Sequence, residues 1–324
     1  MAVYTDIGDE DLRAFLEGFS IGTLVSFRGI AEGVENSNFH LRTTEGDFIL
    51  TLYEKRVNAT ELPWFLGLMQ HLAREGVTCP QPVADRQGRT LLELAGRPAA
   101  ITTFLPGVWP RSVRSEHCRP LGRALARLHL AGRSYTPERP NSLGPNAWAG
   151  LLQSCRAAAD SAFPGLAAEL DTALAATLPA WPGHGQTPAL PRGQIHADLF
   201  PDNVFFLDHD LSGLIDFYFA CTDFLAYDIA ICLNAWCFEQ SGAFNITFAR
   251  QIMLGYEEVR PLEDAERHAM PVLARGAALR FLLTRLYDWL NTPEGALVTP
   301  KDPMEYVRRL RFHMATETAS GYGF

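Results

Sequence analysis

The chain has 324 residues, a formal net charge of −9, and a composition that is 47% hydrophobic and 20% charged. That length and apolar content suit a globular protein of two domains, or of one domain in two lobes, with a large core. The acidic balance argues against a dedicated nucleic-acid binder, which needs basic surface to neutralise phosphates, but is compatible with one nucleotide held by local dipoles and cations.

The first residues, Met1 to Arg13, are acidic and lack the basic opening and apolar run of a signal peptide. Asp9 to Phe19 reads as a helix with Asp9 accepting first-turn amides and Leu12, Phe15, Leu16 and Phe19 on one face. Thr23 to Arg28, Asn38 to Thr43 and Asp47 to Tyr53 read as short strands, with Gly46 in the turn between the last two. Leu62 to Glu75 is a helix stopped by Gly76, and strands follow at Thr90 to Leu94 and Ala99 to Phe104. Leu105-Pro106-Gly107 then breaks the chain. Beyond it the pattern turns helical at Arg119 to Leu130, Trp148 to Ala159 and Leu166 to Ala176. After a Pro/Gly-rich passage, strands at Val204 to Leu207 and Leu211 to Ile215 flank the turn Asp208-His209-Asp210. Apolar helices complete the chain: Leu225 to Trp236, Phe248 to Val259, Ala265 to Leu290 with room for a break, and Pro303 to Thr316. The expected organisation is α+β in two lobes: residues 1–105, an antiparallel sheet lobe for nucleotide with the hinge at its end, and 106–324, a larger helical lobe for catalysis and substrate. Two such lobes leave a cleft for a ligand.

The most apolar stretch, Phe217 to Trp236, is interrupted by Asp223 and Asp228, so the sequence offers no run of ~20 apolar residues for a membrane span. The six cysteines, Cys79, Cys118, Cys155, Cys221, Cys232 and Cys237, form no CxxC pair and read as buried free thiols of a cytoplasmic protein.

The most informative segment is His196-Ala197-Asp198-Leu199-Phe200-Pro201-Asp202-Asn203, followed a hairpin later by Leu214-Ile215-Asp216-Phe217. Phosphoryl transfer is chiefly positioning and charge compensation. It needs a carboxylate beside the attacking hydroxyl and oxygen ligands for Mg²⁺. Asp198 suits the first task, as the catalytic residue. Asn203, five residues on, and Asp216, thirteen further, suit the second as metal ligands. The spacing matches the catalytic loop and metal aspartate of protein kinases. His196 reads as a scaffold that fixes the loop. The competing readings are plain turn residues, since Asp and Asn favour turns, and a metal hydrolase using His196 and Asp198 as ligands. The hydrolase needs more histidines nearby, and the nine in this chain are scattered.

For the nucleotide, Phe27 to Leu41 runs from one strand to the next through Gly33, Asn36, Ser37 and Asn38, small and polar residues that let backbone approach phosphates. The strand position where a kinase carries lysine holds Thr51. Lys55 or Arg56 reaching inward, or both as solvated strand-end charges, are the alternatives. Thr103 and Leu105, in the segment Ile101 to Gly107, are the hinge candidates whose backbone would face adenine.

These motifs resemble the aminoglycoside-phosphotransferase and choline-kinase-like superfamily, which has a protein-kinase-like fold. The closer similarity, spanning nearly the whole chain, is to the bacterial homoserine-kinase branch. It rests on Gly33 through Phe39, Leu50 through Glu54, Glu61-Leu62-Pro63 through His71-Leu72-Ala73, His196 through Asn203, Gly213 through Trp236, and Leu279 to Asp288. The resemblance implies an ATP- and Mg²⁺-dependent enzyme converting L-homoserine to O-phospho-L-homoserine on the way to threonine. Thr51 departs from the wider superfamily but is usual in this branch. The alternatives are a kinase of the same fold acting on choline or ethanolamine, a sugar or an aminoglycoside, and a non-catalytic nucleotide-binding scaffold.

Homoserine carries a carboxylate, an ammonium and a hydroxyl. Arg280, Arg285 and Asp288, on a late helix that also carries Arg275, are the candidates for its charged groups, since Arg binds carboxylates bidentately. Arg285 and Asp288 at i, i+3 equally well pair with each other. Tyr218, Asp223 and Asn234 are further lining candidates, with turn or helix-surface roles as the alternative. Asp228, in an apolar helix, is expected to brace the catalytic loop, because a buried carboxylate must find donors.

Overall fold

Period-two patterning in the first hundred residues and period-3.6 patterning beyond produce two different architectures. A computed structural model of the chain describes residues 5–30, 36–54, 58–185, 187–292 and 300–324. The chain divides into two units, Met1–Pro106 and Gly107–Phe324.

The first unit is a five-stranded antiparallel sheet in the order β1 (Leu24–Gly29), β2 (Ser37–Thr43), β3 (Gly46–Leu52), β5 (Arg97–Thr103), β4 (Leu92–Leu94). Thr43 pairs with Gly46 across a tight turn, which sets Asn38 opposite Thr51. Phe39, Leu41, Leu50 and Leu52 therefore alternate onto one buried face. Helix α1 (Asp9–Leu16) covers that face with Leu12 and Leu16. α1 ends three residues before the sequence pattern suggests: the chain turns at Gly18, and Phe19 enters the same core from beyond the helix. Its N-cap is Gly8, while Asp9 lies in the first turn and bonds Arg13. Helix α2 (Leu62–Arg74) is entered through a 3₁₀ turn capped by the Asn58 side chain and stops before Gly76, whose φ of +85° suits glycine.

The second unit holds α3 (Ser115–Gly132), α4 (Pro145–Ala162), α5 (Leu166–Thr177), α6 (Leu225–Trp236), α7 (Ile246–Glu257), α8 (Asp264–Asn291) and α9 (Met304–Ala315). Two small antiparallel ribbons lie among them: β6 (Arg192–Ile195) with β9 (Cys221–Phe224), and β7 (Val204–Leu207) with β8 (Asp210–Leu214). Sequence patterning misses β9, because its four apolar-flanked residues run straight into α6 and its partner is distant. α8 continues unbroken through Pro271, its buried face packed against α4, α6 and α9. Among the described residues no helix is long and apolar enough to cross a membrane. The six cysteines are free and buried.

α3 and α7 approach closely because glycines face carbonyls. A Cβ at Gly122 would collide with the Ile252 carbonyl oxygen, and one at Gly255 with that of Arg119. Gly255→Ala is expected to destabilise the protein by about 1–3 kcal/mol through overpacking, read as a lower urea midpoint; an unchanged midpoint would show that the helices separate freely.

Candidate active site

The loop between β6 and β7 carries Asp198 and Asn203, and Asp216 lies two residues beyond β8, at the start of the 3₁₀ turn Phe217–Phe219. Asn203 closes a 3₁₀ turn, Pro201–Asn203, and its carbonyl accepts the Ile215 amide at 3.0 Å, tying the loop to the residue before Asp216. The Asn203 side-chain amide donates to the Asp198 carbonyl at 2.8 Å and to Asp198 Oδ2 at 3.2 Å. His196 joins the same two segments. Its Nε2 donates to the Ile215 carbonyl at 2.9 Å, and its Nδ1 accepts the Asp198 amide at 3.3 Å. That pattern requires a neutral ring, and burial holds the His196 pKa below its ordinary value.

Two non-glycine residues adopt left-handed backbone here: Ala197 at φ +62° and Asp216 at φ +65°. Such conformations are uncommon and persist where surrounding contacts over-determine them. At Ala197 those contacts are explicit. Asp228 of α6 accepts the His196 amide on Oδ2 at 2.7 Å and the Ala197 amide on Oδ1 at 2.9 Å. The Ala197 carbonyl accepts the guanidinium of Arg280. Trp236 Nε1 donates to the Leu199 carbonyl at 2.7 Å. Behind Asp228, His129 of α3 places Nε2 at 3.2 Å from Oδ2 and Nδ1 at 2.7 Å from the Tyr256 hydroxyl.

The charges differ sharply across the site. Burial pushes Asp198 well above the usual carboxylate range; Arg280 opposes this and the Asp216 charge reinforces it, so the two carboxylates act on one another. Burial also raises Asp228, but its bond to His129 and the amides it accepts outweigh that and hold it low. The structure thus brings Asp198, Asn203, Asp216, His196 and Asp228 together.

The other candidates are distributed differently. Arg280 is 2% exposed and bonded to Ala197, with Phe281 4.5 Å and Phe219 5.6 Å from its guanidinium. Arg285 donates to Glu305 at 2.7 Å, rather than to Asp288, which is exposed on α8. Asp223 is buried in β9, accepts Asn141 at 2.8 Å, and is raised by that burial. Tyr218 is half-buried in the 3₁₀ turn Phe217–Phe219. Asn234 bonds the Ala230 and Ala274 carbonyls inside the helical core.

In the first unit, Gly33 and Lys55 lie outside the described residues. Asn36 Oδ1 accepts the Glu54 amide at 3.3 Å, Ser37 donates to Glu54 Oε1 at 2.7 Å, and Asn38 Oδ1 accepts the Thr51 hydroxyl at 2.8 Å. Glu54 also meets Thr5 at 2.7 Å and Arg97 at 3.1 Å. The Thr103 hydroxyl accepts the Gln81 amide at 3.0 Å, and Leu105 is half-buried. Sequence reading missed Glu54 and His129 as organisers. The signal was a polar residue on an otherwise buried strand end or helix face.

Residues 26–262 match the family described as "Phosphotransferase enzyme family". Among solved structures, an amicoumacin kinase superposes with a TM-score of 0.67 at 16% identity, covering 94% of this chain and 92% of that one. A choline kinase from Cryptosporidium parvum superposes with a TM-score of 0.67 at 13% identity, covering 95% and 94%. The fold is therefore that of the kinase-like phosphotransferases, as the motifs led one to expect. Full-length relatives named homoserine kinase, from Gluconacetobacter diazotrophicus and Acidiphilium cryptum, are 67% and 65% identical over 323 residues, covering all of both chains. The chain belongs to the homoserine kinase family within the phosphotransferases.

Proposed function

We propose that this protein transfers the γ-phosphoryl group of ATP to the hydroxyl of L-homoserine, releasing O-phospho-L-homoserine and ADP, a step toward threonine. The observation that carries the reading is full-length identity of 59–67% to proteins named homoserine kinase. The polar loop around Asp198 supplies the chemistry.

In this reading Asp198 orients the substrate hydroxyl and accepts its proton. A carboxylate whose pKa is raised is a better proton acceptor near neutrality than an ordinary one. Asn203 and Asp216 fit a hard divalent cation. The Asn203 amide nitrogen is occupied by Asp198, which leaves its carbonyl oxygen for a ligand. Among the described residues no group of three His, Cys, Asp or Glu could hold a metal. Mg²⁺ binds through one or two protein oxygens together with phosphates and water, which the pair Asn203 and Asp216 can supply. Bound there, the ion would offset the charge on the phosphates. His196 and Asp228 hold the loop without touching substrate. Gly33, Asn36, Ser37, Asn38 and Lys55 are assigned to the phosphates, and the backbone at Thr103 and Leu105 to adenine. Because the side chains of Asn36, Ser37 and Asn38 are already engaged, their contribution comes through the main chain and through the shape they give the turn. The free thiols support a cytoplasmic setting.

The test is a coupled ADP-release assay with L-homoserine, L-serine, choline and kanamycin side by side. The highest kcat/KM is expected with homoserine. Faster phosphorylation of choline would overturn the substrate assignment while leaving the phosphotransferase class intact.

A further inference from the structure

Four cations gather around the catalytic loop and the start of α9, and they differ in how firmly they are held. Arg280 is buried on the Ala197 carbonyl. Arg309 donates to the Asn234 carbonyl at 2.6 Å and to Glu305. Arg285 bonds Glu305 and lies 4.4 Å from the Tyr306 ring. Lys301 differs: its ammonium stands 3.9 Å from Asp202, and the two side chains are 62% and 51% exposed. An exposed pair at that distance contributes little and is readily exchanged.

Lys301 is also well placed. Its Nζ lies 5.4 Å from the ring centroid of Phe200, two residues from Asp198, with the Arg285 guanidinium 6.0 Å from the same ring. Phe281 packs edge-on to Phe200 at 4.9 Å, so the ring has a braced position. The Lys301 charge is felt at Asp198, where it opposes the rise caused by burial. A small amino acid whose hydroxyl sits at Asp198 would carry its carboxylate a few bonds away.

We infer that Lys301, exchanging Asp202 for substrate, receives the α-carboxylate of the amino-acid substrate and sets the preference for an amino acid over an amino alcohol. The inference rests on the homoserine-kinase reading. It moves the carboxylate-binding role from Arg280, which is buried on the Ala197 carbonyl, and Arg285, which bonds Glu305, to an exposed lysine outside α8.

The experiment compares L-homoserine with 3-amino-1-propanol, the same molecule without its carboxylate, in the full-length wild type, Lys301→Met and Lys301→Arg. In Lys301→Met the ratio of kcat/KM for homoserine over aminopropanol should fall by about 10- to 100-fold, the size of one charge-assisted hydrogen bond. Most of the fall should lie in the homoserine KM. Lys301→Arg should recover most of the ratio. An unchanged ratio in Lys301→Met, or equal losses on both substrates, would overturn the inference while leaving the homoserine activity of the wild type intact. A wild type that phosphorylates no homoserine overturns the parent reading and this one together.

Discussion

Asp198→Asn is expected to lower kcat by about 10²- to 10⁴-fold, the contribution of a positioned general base, while ATP binding, read as a nucleotide-induced rise in melting temperature, persists. Asparagine keeps an oxygen for the Asn203 amide, so the loop retains its bond to position 198. The same variant should melt no lower than wild type at pH 7 when free of ligand. The folded Asp198 carboxyl is raised, chiefly by burial. Its protonated form is therefore favoured by folding, and the stability it contributes is complete below the unfolded-state value, about 3.9. That contribution is lost as pH rises through the higher folded value. A neutral amide imitates the protonated form at every pH. Near-wild-type turnover in Asp198→Asn would remove Asp198 from its proposed role. A large drop in melting temperature would show that its charge holds the loop together.

The second large effect is expected at Asp228, and it has the opposite sign. Its carboxylate accepts the His196 and Ala197 amides and faces His129. An asparagine there has one oxygen for these donors and turns its own NH₂ toward an N–H. Removing one partner from a buried, hydrogen-bonded charge costs about 3–5 kcal/mol. Asp228→Asn should therefore lower the urea midpoint, and kcat should fall because Ala197 no longer has both of its anchors. The pH dependence identifies the cause. Asp228 is held below the ordinary range, so its contribution is fully present above the unfolded-state pKa of about 3.9. It is lost as pH falls through the folded value. The stability gap between wild type and variant should be constant from pH 5 to 8 and close in acid. A gap that does not narrow at all as pH falls below the unfolded-state value would mean that packing, not ionisation, is what Asp228 provides.

Much of the site is legible in the chain because its parts are close in sequence. Asp198 and Asn203 are five residues apart, and one hairpin carries the chain on to Asp216. Local chain geometry limits how far apart such groups can fall. Period-two alternation likewise locates β1, β2, β3 and β5, and the apolar stripes locate the helices to within a few residues. The role of Asp228 is readable in outline, because a carboxylate inside an apolar helix needs donors wherever they come from.

What the chain alone did not decide is which distant groups meet. Arg280 looks like a carboxylate ligand by chemistry, yet its partner is the carbonyl of Ala197, 83 residues away. Arg285 and Asp288 have the spacing of a helix pair, but α9 brings Glu305 to within 2.7 Å of Arg285. Ser37 and Asn36 look like phosphate-loop residues, and their side chains turn to Glu54 across the sheet. β9 exists only because β6 lies beside it. In each case a polar group removed from water bonds whatever donor or acceptor the packed elements present. Spacing along the chain therefore determines the proximity of Asp198, Asn203 and Asp216 and the type of each element, whereas the partners of the buried charges follow from tertiary packing, since only the assembled core decides which of them lie within hydrogen-bond reach.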